Sequence, residues 1–356
     1  MEIVNVETNK QKKKYIKFIY DLYRNDENFC DMNLLFVKNF LYKNDSYSKR
    51  CTVKPIMIYD DNEIKLECIF VVDDTDIIKL SFIEFRENSS KYLNELLNYS
   101  KEIIKQYKKK KIVVGVNGQI SYGLGILTDK YNRNFEFNSN YNLLYYTKEM
   151  DEVFPIIKKA FSYKYDANNS LSLIDEKLIE QLNANFEFRY FNMRNFKKDM
   201  LIFGELCHES LKSTPYYSKK TPFEMYELMK SMKFLMKKED IIFVMKDGRE
   251  IGFVYSHPDY AELFNKQKLN YVSFYIKYLF RKTNNVIYNV IGVLPEYQKT
   301  GLAFALIYKS VKLRQKDYIN GMSSFILEDN IPSTTLCRNL SVGINKEFHL
   351  YEIEGE

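Results

Sequence analysis

The sequence predicts an α/β (α+β) chain built from two successive units, and three observations carry that expectation. Two hairpin signatures recur, "IMIYDDNEIKLECIFV" and "IIFVMKDGREIGFVYS". After each comes the same order of elements, strand, helix, strand. At 356 residues the chain also exceeds what a single core ordinarily organises, so two domains are the default.

Taken in order, helical spacing of apolar residues runs from Asn9 to about Asn25. The first hairpin turns over Asp60 to Glu63, between two strand-like runs. Leu80 to Phe85 reads as a further strand, Lys91 to Tyr107 as a helix, and "KIVVGVN" (111–117) as the strand after it. The run Lys108 to Lys111 reads as a solvated helix end, because lysines there complement the helix dipole. "DANNSLSLIDEKLIEQLNANFEF" reads as a polar loop, a short helix and the opening strand of the second unit. That places the boundary near Asn185, with units 1–185 and 186–356. Helices follow at Phe196 to Glu209 and Thr221 to Met236. The second opens with Thr221 as cap, Pro222 at the first helical position and Glu224 behind it.

The second hairpin carries Asp247-Gly248, the stronger turn signal of the two. Strand Asn289 to Leu294, helix Leu302 to Gln315 and strand "SSFILEDN" (323–330) complete the repeat. Corresponding features lie 186 positions apart at the hairpins (61 to 247), 208 at the strands (83 to 291) and 213 at the asparagines (117 to 330). The jump from the first offset to the second locates extra sequence at roughly Asp259 to Asn285. It reads as an insertion over the fold, a flap near an acceptor site, since a long structureless loop is unusual in a compact domain.

Composition narrows the function classes. The formal net charge of +6, from 53 basic and 47 acidic residues, is mild, and the basic residues are scattered, which argues against nucleic acid. The five cysteines (Cys30, Cys51, Cys68, Cys207, Cys337) lack close pairs or CxxC spacing and read as reduced thiols in a cytoplasmic protein. No apolar run approaches a membrane span, and no signal-peptide core opens the sequence. His208, His257 and His349 lie far apart, so no metal centre is expected.

The stretch that carries chemistry is "VIGVLPEYQKTGLAFAL", residues 290–306. A β-branched strand passes through Pro295 and Gly301 into helical periodicity. A helix start there presents unsatisfied backbone N–H groups and about half a positive charge, a ready anion site. Gly301 lets a phosphate approach where a Cβ would stand, and Ala303 keeps the next turn thin.

At these residues the chain resembles the GNAT superfamily of acyl-CoA-dependent N-acyltransferases. That family's Q/R-x-x-G-x-G/A signature stands here as Gln298-Lys299-Thr300-Gly301-Leu302-Ala303, and "ILEDNIPSTTLCRNLSVGINKEFHLYEI" resembles its closing strands and helix. Over its whole length the chain resembles bacterial proteins with two tandem GNAT-like units, each a mixed, mostly antiparallel sheet flanked by helices. The resemblance implies that backbone N–H groups of Lys299 to Ala303 hold the pyrophosphate of acetyl-CoA or another acyl-CoA, with Gln298 lining the loop. It implies that Gly292, Val293 and Leu294 run beside the pantetheine, with a backbone N–H polarising the thioester carbonyl, and that Asn330 stands near the pantetheine arm. The reaction implied is direct attack of a small-molecule or peptide amine on the thioester in a ternary complex.

Many members place a tyrosine seven residues after the position of Asn330, as proton donor to the leaving thiolate. Here that count lands on Cys337, a candidate acid or a small core residue. His208, Glu209 and His257 are polar candidates for the base. Two other functions stay open: an aminoacyl-tRNA-dependent transferase with two GNAT-like units, and a non-catalytic acyl-CoA-binding protein. In the first unit the matching helix start, "EFRENSSKYL", has no glycine. There Asn88, Ser89 and Ser90 are expected to cap the helix, and Glu84 and Glu87 to add negative charge, so that unit is expected to bind no CoA and to support the other.

Overall fold

The computed structural model describes residues 1–131, 136–137, 139–266 and 268–355, with the backbone only at 156 and 157. The first elements are β1 (Glu2–Asn5), α1 (Asn9–Leu22), α2 (Leu34–Tyr42), α3 (Ser46–Arg50), β2 (Thr52–Asp60), β3 (Glu63–Val72) and β4 (Ile77–Phe85). Next come α4 (Ser90–Tyr107), β5 (Lys111–Val114), β6 (Ile126–Leu127), α5 (Tyr145–Val153), β7 (Ile156–Asp166), α6 (Ala167–Ser172), α7 (Glu176–Asn185) and β8 (Glu187–Tyr190). The rest are α8 (Phe196–Leu211), α9 (Pro222–Lys230), β9 (Ile241–Lys246), β10 (Arg249–Pro258), α10 (Tyr271–Phe280), β11 (Asn285–Val293), α11 (Leu302–Arg314), β12 (Asn320–Ser323), β13 (Ile326–Leu327), α12 (Ile331–Leu340) and β14 (Gly343–Glu354).

The chain forms two compact units, but not as consecutive halves. One comprises Met1–Ala160, Leu263–Arg281 and Lys346–Glu356; the other comprises Phe161–Glu262 and Lys282–Asn345. The chain thus leaves the first unit at residue 160, ahead of the boundary expected at 185. The expected insertion also proves to be a helical segment of the first unit. There Lys266 pairs with Glu27 at 2.6 Å, and the Leu269 N–H donates to Asp31 at 2.7 Å.

In the first unit the strand order is β1-β2-β3-β4-β5-β14; in the second it is β8-β9-β10-β11-β12-β7. The first five strands repeat, and the sixth in each unit comes from the other half of the chain. Tyr351 faces Val114 antiparallel in one, and Tyr165 faces Gly321 antiparallel in the other. Among the described residues, β4–β5 and β11–β12 run parallel within these two orders, and the other ladders along them are antiparallel. Each of those parallel pairs is joined by one crossover helix, α4 or α11, as a parallel connection requires.

Local chemistry explains the hairpins. Asp61 and Asn62 (φ 52 and 62), like Asp247 and Gly248 (φ 49 and 75), take the left-handed region that two-residue turns demand. Thr221 caps α9 as expected, and Glu224 returns the bond to the Thr221 N–H, but the helix ends at Lys230, short of the Met236 expected. The strand read over 323–330 ends at Ser323 and resumes only as β13. The lysine run ends α4 as expected, with Lys108 and Lys110 exposed, and it is also tethered: Lys109 donates to the carbonyls of Asp73 and Thr75, and Lys110 and Lys111 pair with Asp76 and Glu352.

Candidate active site

In the second unit β11 is paired on both sides only as far as Tyr288. Its parallel register with β12 runs from Asn285↔Asn320 to Tyr288↔Ser323, after which the Ser324 N–H donates to the Tyr288 carbonyl and the strands part. On the other side β11 continues along β10 to Gly252↔Val293, with Asn289 as the extra residue of a bulge. Beyond Tyr288, β11 therefore offers one backbone edge that no strand covers among the described residues.

The direction of the edge groups follows from the antiparallel alternation. The Leu294 N–H donates to the Ile251 carbonyl at 2.9 Å, so positions in phase with it, Gly292 included, face β10. Ile291 and Val293 then face the open side. Of the three positions expected to border the pantetheine, Val293 alone turns its backbone there, and Ile291, which sequence reasoning passed over, joins it. The Val293 carbonyl accepts from Gln298 Nε2 at 3.2 Å, which staples the loop to the strand.

That loop is short. Pro295–Tyr297 makes one 3-10 turn, and the Thr300 hydroxyl donates to the Tyr297 carbonyl at 2.7 Å. Lys299 (φ 64) and Gly301 (φ 89) are both left-handed, and Gly301 caps α11 with no side-chain hydrogen bond. Among the described residues, no acceptor takes the N–H groups of Lys299, Thr300, Gly301, Leu302 or Ala303. This is a nest of free donors at a helix N-terminus, adjoining an open strand edge.

Asn330 caps α12, its side chain accepting from the Ser333 N–H at 3.3 Å. Cys337, on that helix, is buried in the core, and burial pushes its thiol up to about 11. Its sulfur lies against the hydroxyl of Tyr165, which also reaches Ser323 and packs edge-on to Tyr288 at 5.6 Å. Tyr165 comes from β7, and nothing in the local sequence points to it. The candidate bases are engaged elsewhere. Glu209 pairs with Lys212 at 2.6 Å, which holds its carboxyl below the usual range; His208 stacks on Tyr217; His257 is buried, which lowers it to about 4.

The corresponding helix start in the first unit is closed. The Glu149 carboxylate, from α5, accepts from the N–H groups of Asn88 (2.7 Å) and Ser89 (2.5 Å). The expected side-chain cap by Asn88, Ser89 and Ser90 is therefore replaced by an internal anion held where a phosphate would bind.

No protein-family profile matches the chain, and no curated sequence does. Solved structures do. A tandem GNAT protein from the clavulanic acid biosynthesis pathway aligns over 99% of this chain and 98% of its own, at TM-score 0.53 and 8% identity. A glucosamine N-acetyltransferase region in a fungal multi-domain β-N-acetylglucosaminidase aligns over 99% of this chain and 38% of its own, at TM-score 0.59 and 10% identity. An Enterococcus faecalis protein described as a probable N-acyltransferase aligns over 99% and 71%, at TM-score 0.53 and 6% identity. The chain has the tandem GNAT fold, and at these identities the fold is what is shared. Among the described residues, no helix is long and apolar enough to cross a membrane.

Proposed function

We propose that the protein is a CoA-dependent N-acyltransferase, most simply an N-acetyltransferase, acting at the second unit. The observation that carries the reading is the row of uncommitted N–H groups from Lys299 to Ala303 beside the open edge of β11. The pyrophosphate of acetyl-CoA would take those donors, and the pantetheine amides would pair with Ile291 and Val293 as an added strand does. The amine nitrogen of a small-molecule or peptide acceptor attacks the thioester carbon. The C–N bond forms, the C–S bond breaks, the nitrogen sheds a proton and the thiolate takes one. A backbone N–H aimed at the carbonyl oxygen would stabilise the developing negative charge, and holding both reactants supplies most of the acceleration. Proton delivery to the thiolate falls to Cys337 or to Tyr165, whose side chains touch. Five buried free cysteines suit a reducing, cytoplasmic setting.

A second reading, an acyl-CoA-binding protein without turnover, draws on the burial of Cys337. Two variants separate them, assayed by thiol release from acetyl-CoA with a panel of primary amines. If Cys337 is the acid, Cys337→Ala lowers turnover about 10²–10⁴-fold at unchanged CoA affinity and melting temperature. The packing at Cys337 leads us to expect instead a stability loss of roughly 1 kcal/mol with turnover kept, and Tyr165→Phe as the variant that slows the chemistry. Absence of any thiol release by the wild-type protein, with CoA still bound, would leave the binding protein as the answer.

A further inference from the structure

The first unit contains a cavity of its own, of about 70 Å³. It opens where β4 and β5 part, past the last parallel pair Leu80↔Val114, and so stands at the repeat counterpart of the opening beside β11. Its wall has a one-sided charge. Asp31 and Glu84 line it, and among the described lining residues there is no Lys, Arg or His. With Glu149 on the N–H groups of Asn88 and Ser89 just ahead of α4 and two carboxylates in the wall, the cavity does not suit a phosphate.

We propose that this cavity binds a small organic cation, a primary or secondary ammonium group, with Glu84 as its counter-charge. Glu84 takes the hydroxyls of Tyr23 (2.9 Å) and Tyr146 (2.6 Å) on Oε2 alone, leaving Oε1 without a partner among the described residues, on a side chain that lines the cavity. Directly across the ladder from Glu84 stands Glu67, wholly buried, with both carboxyl oxygens unpartnered among the described residues. The rings of Phe29, Phe82 and Tyr141 also line the space and suit an alkylammonium. Among the described residues no group of acidic, His or Cys side chains could hold a metal ion, so an organic cation fits better than a metal. The volume admits a head of a few heavy atoms, about half the size of a cavity that takes benzene.

The backbone supports a built site. Phe82 is held at φ 49, its N–H donating to Asn117 Oδ1 at 2.9 Å, at a bulge that turns β4. Such strain persists only where the surroundings fix it. The groups facing Glu84 are Tyr15 from α1 and Tyr23 just past its end, Glu67 from β3, and Tyr145 and Tyr146 from α5, with Asp31 at the cavity wall and Arg86 exposed beyond. Burial raises the Glu84 carboxyl to about 7, so near neutrality the empty site is half protonated. A bound ammonium favours the carboxylate, and affinity must climb with pH through that value.

This site is independent of the acyl-CoA reading and needs no CoA. Calorimetry on the full chain with n-butylammonium and ethanolammonium chlorides, and 1-butanol as the neutral counterpart, tests it. Expected are saturable ammonium binding at pH 8, about tenfold weaker at pH 6 because the competent fraction falls that much, no binding of 1-butanol, and a loss of about tenfold or more in Glu84→Gln. If Glu84→Gln fails to fold, the pH series on the wild-type chain decides alone. No ammonium binding at pH 8, equal affinity at pH 6 and 8, or a folded Glu84→Gln binding as well as wild type would each overturn the proposal.

Discussion

Gly301→Glu should lower the affinity for CoA by about 100-fold or more while the fold survives. The glutamate brings a like charge against the pyrophosphate, and such a juxtaposition costs several kcal/mol. The structure indicates that the backbone tolerates the change. The nearest atoms to a Cβ at residue 301 are methyl groups of Leu178 and Leu182 on α7, at 3.4 and 3.5 Å, an ordinary contact, so the Cβ position faces α7 and the introduced charge carries the expected effect. The φ of 89 adds a strain of roughly 1–2 kcal/mol for any L-residue. Gly301→Ala carries the same strain without the charge and should lose far less affinity. Calorimetry with melting curves on all three proteins distinguishes a lost anion site from a lost fold.

A fragment of residues 1–185 should fail to fold, although the sequence reads as if a domain ended there. Within the first unit, β5 is paired along its outer side by β14, from Tyr351↔Val114 to Glu354↔Lys111. Phe348, Leu350, Tyr351 and Ile353 on that strand are all buried. At about 1.5–3 kcal/mol for each large apolar side chain, their loss alone rivals the 5–15 kcal/mol that holds a typical domain together. The Tyr351 hydroxyl also donates to Asp151 at 2.6 Å, and that anchor of α5 disappears with the strand. The fragment should melt without cooperativity; adding a peptide of residues 343–356 should restore some structure. Cooperative melting of the bare fragment would refute the exchange of final strands.

The repeat was legible because its punctuation is local. Asp61-Asn62 and Asp247-Gly248 announce hairpins through the conformation they alone adopt cheaply, and apolar period separates strands from helices. The loop of free N–H groups was legible for the same reason, since Gln298 to Ala303 are contiguous. What failed depends on partners far apart in the chain. A pattern of buried and exposed residues marks β7 and β14 as strands but does not name their neighbours, so the exchange stayed hidden. Glu149 caps a helix 60 residues away, a relation no spacing rule encodes. Glu84 read as one more charge beside a helix start; only the fold turns it inward between Tyr23 and Tyr146. Cys337 was found by counting from Asn330, whereas Tyr165, which touches it, arrives from a strand more than a hundred residues earlier.

One titration bears most directly on the central claim that the second unit alone carries the acyl-CoA site. Calorimetry of the full chain with CoA should give one site per chain, and Gly301→Glu should abolish it within the accessible concentration range. On the proposed reading the free N–H groups of Lys299 to Ala303 hold the pyrophosphate, and in the first unit Glu149 occupies the N–H groups of Asn88 and Ser89 that a second site would use. A stoichiometry of two, falling to one in Gly301→Glu, or one site that survives the substitution unchanged, would contradict the account.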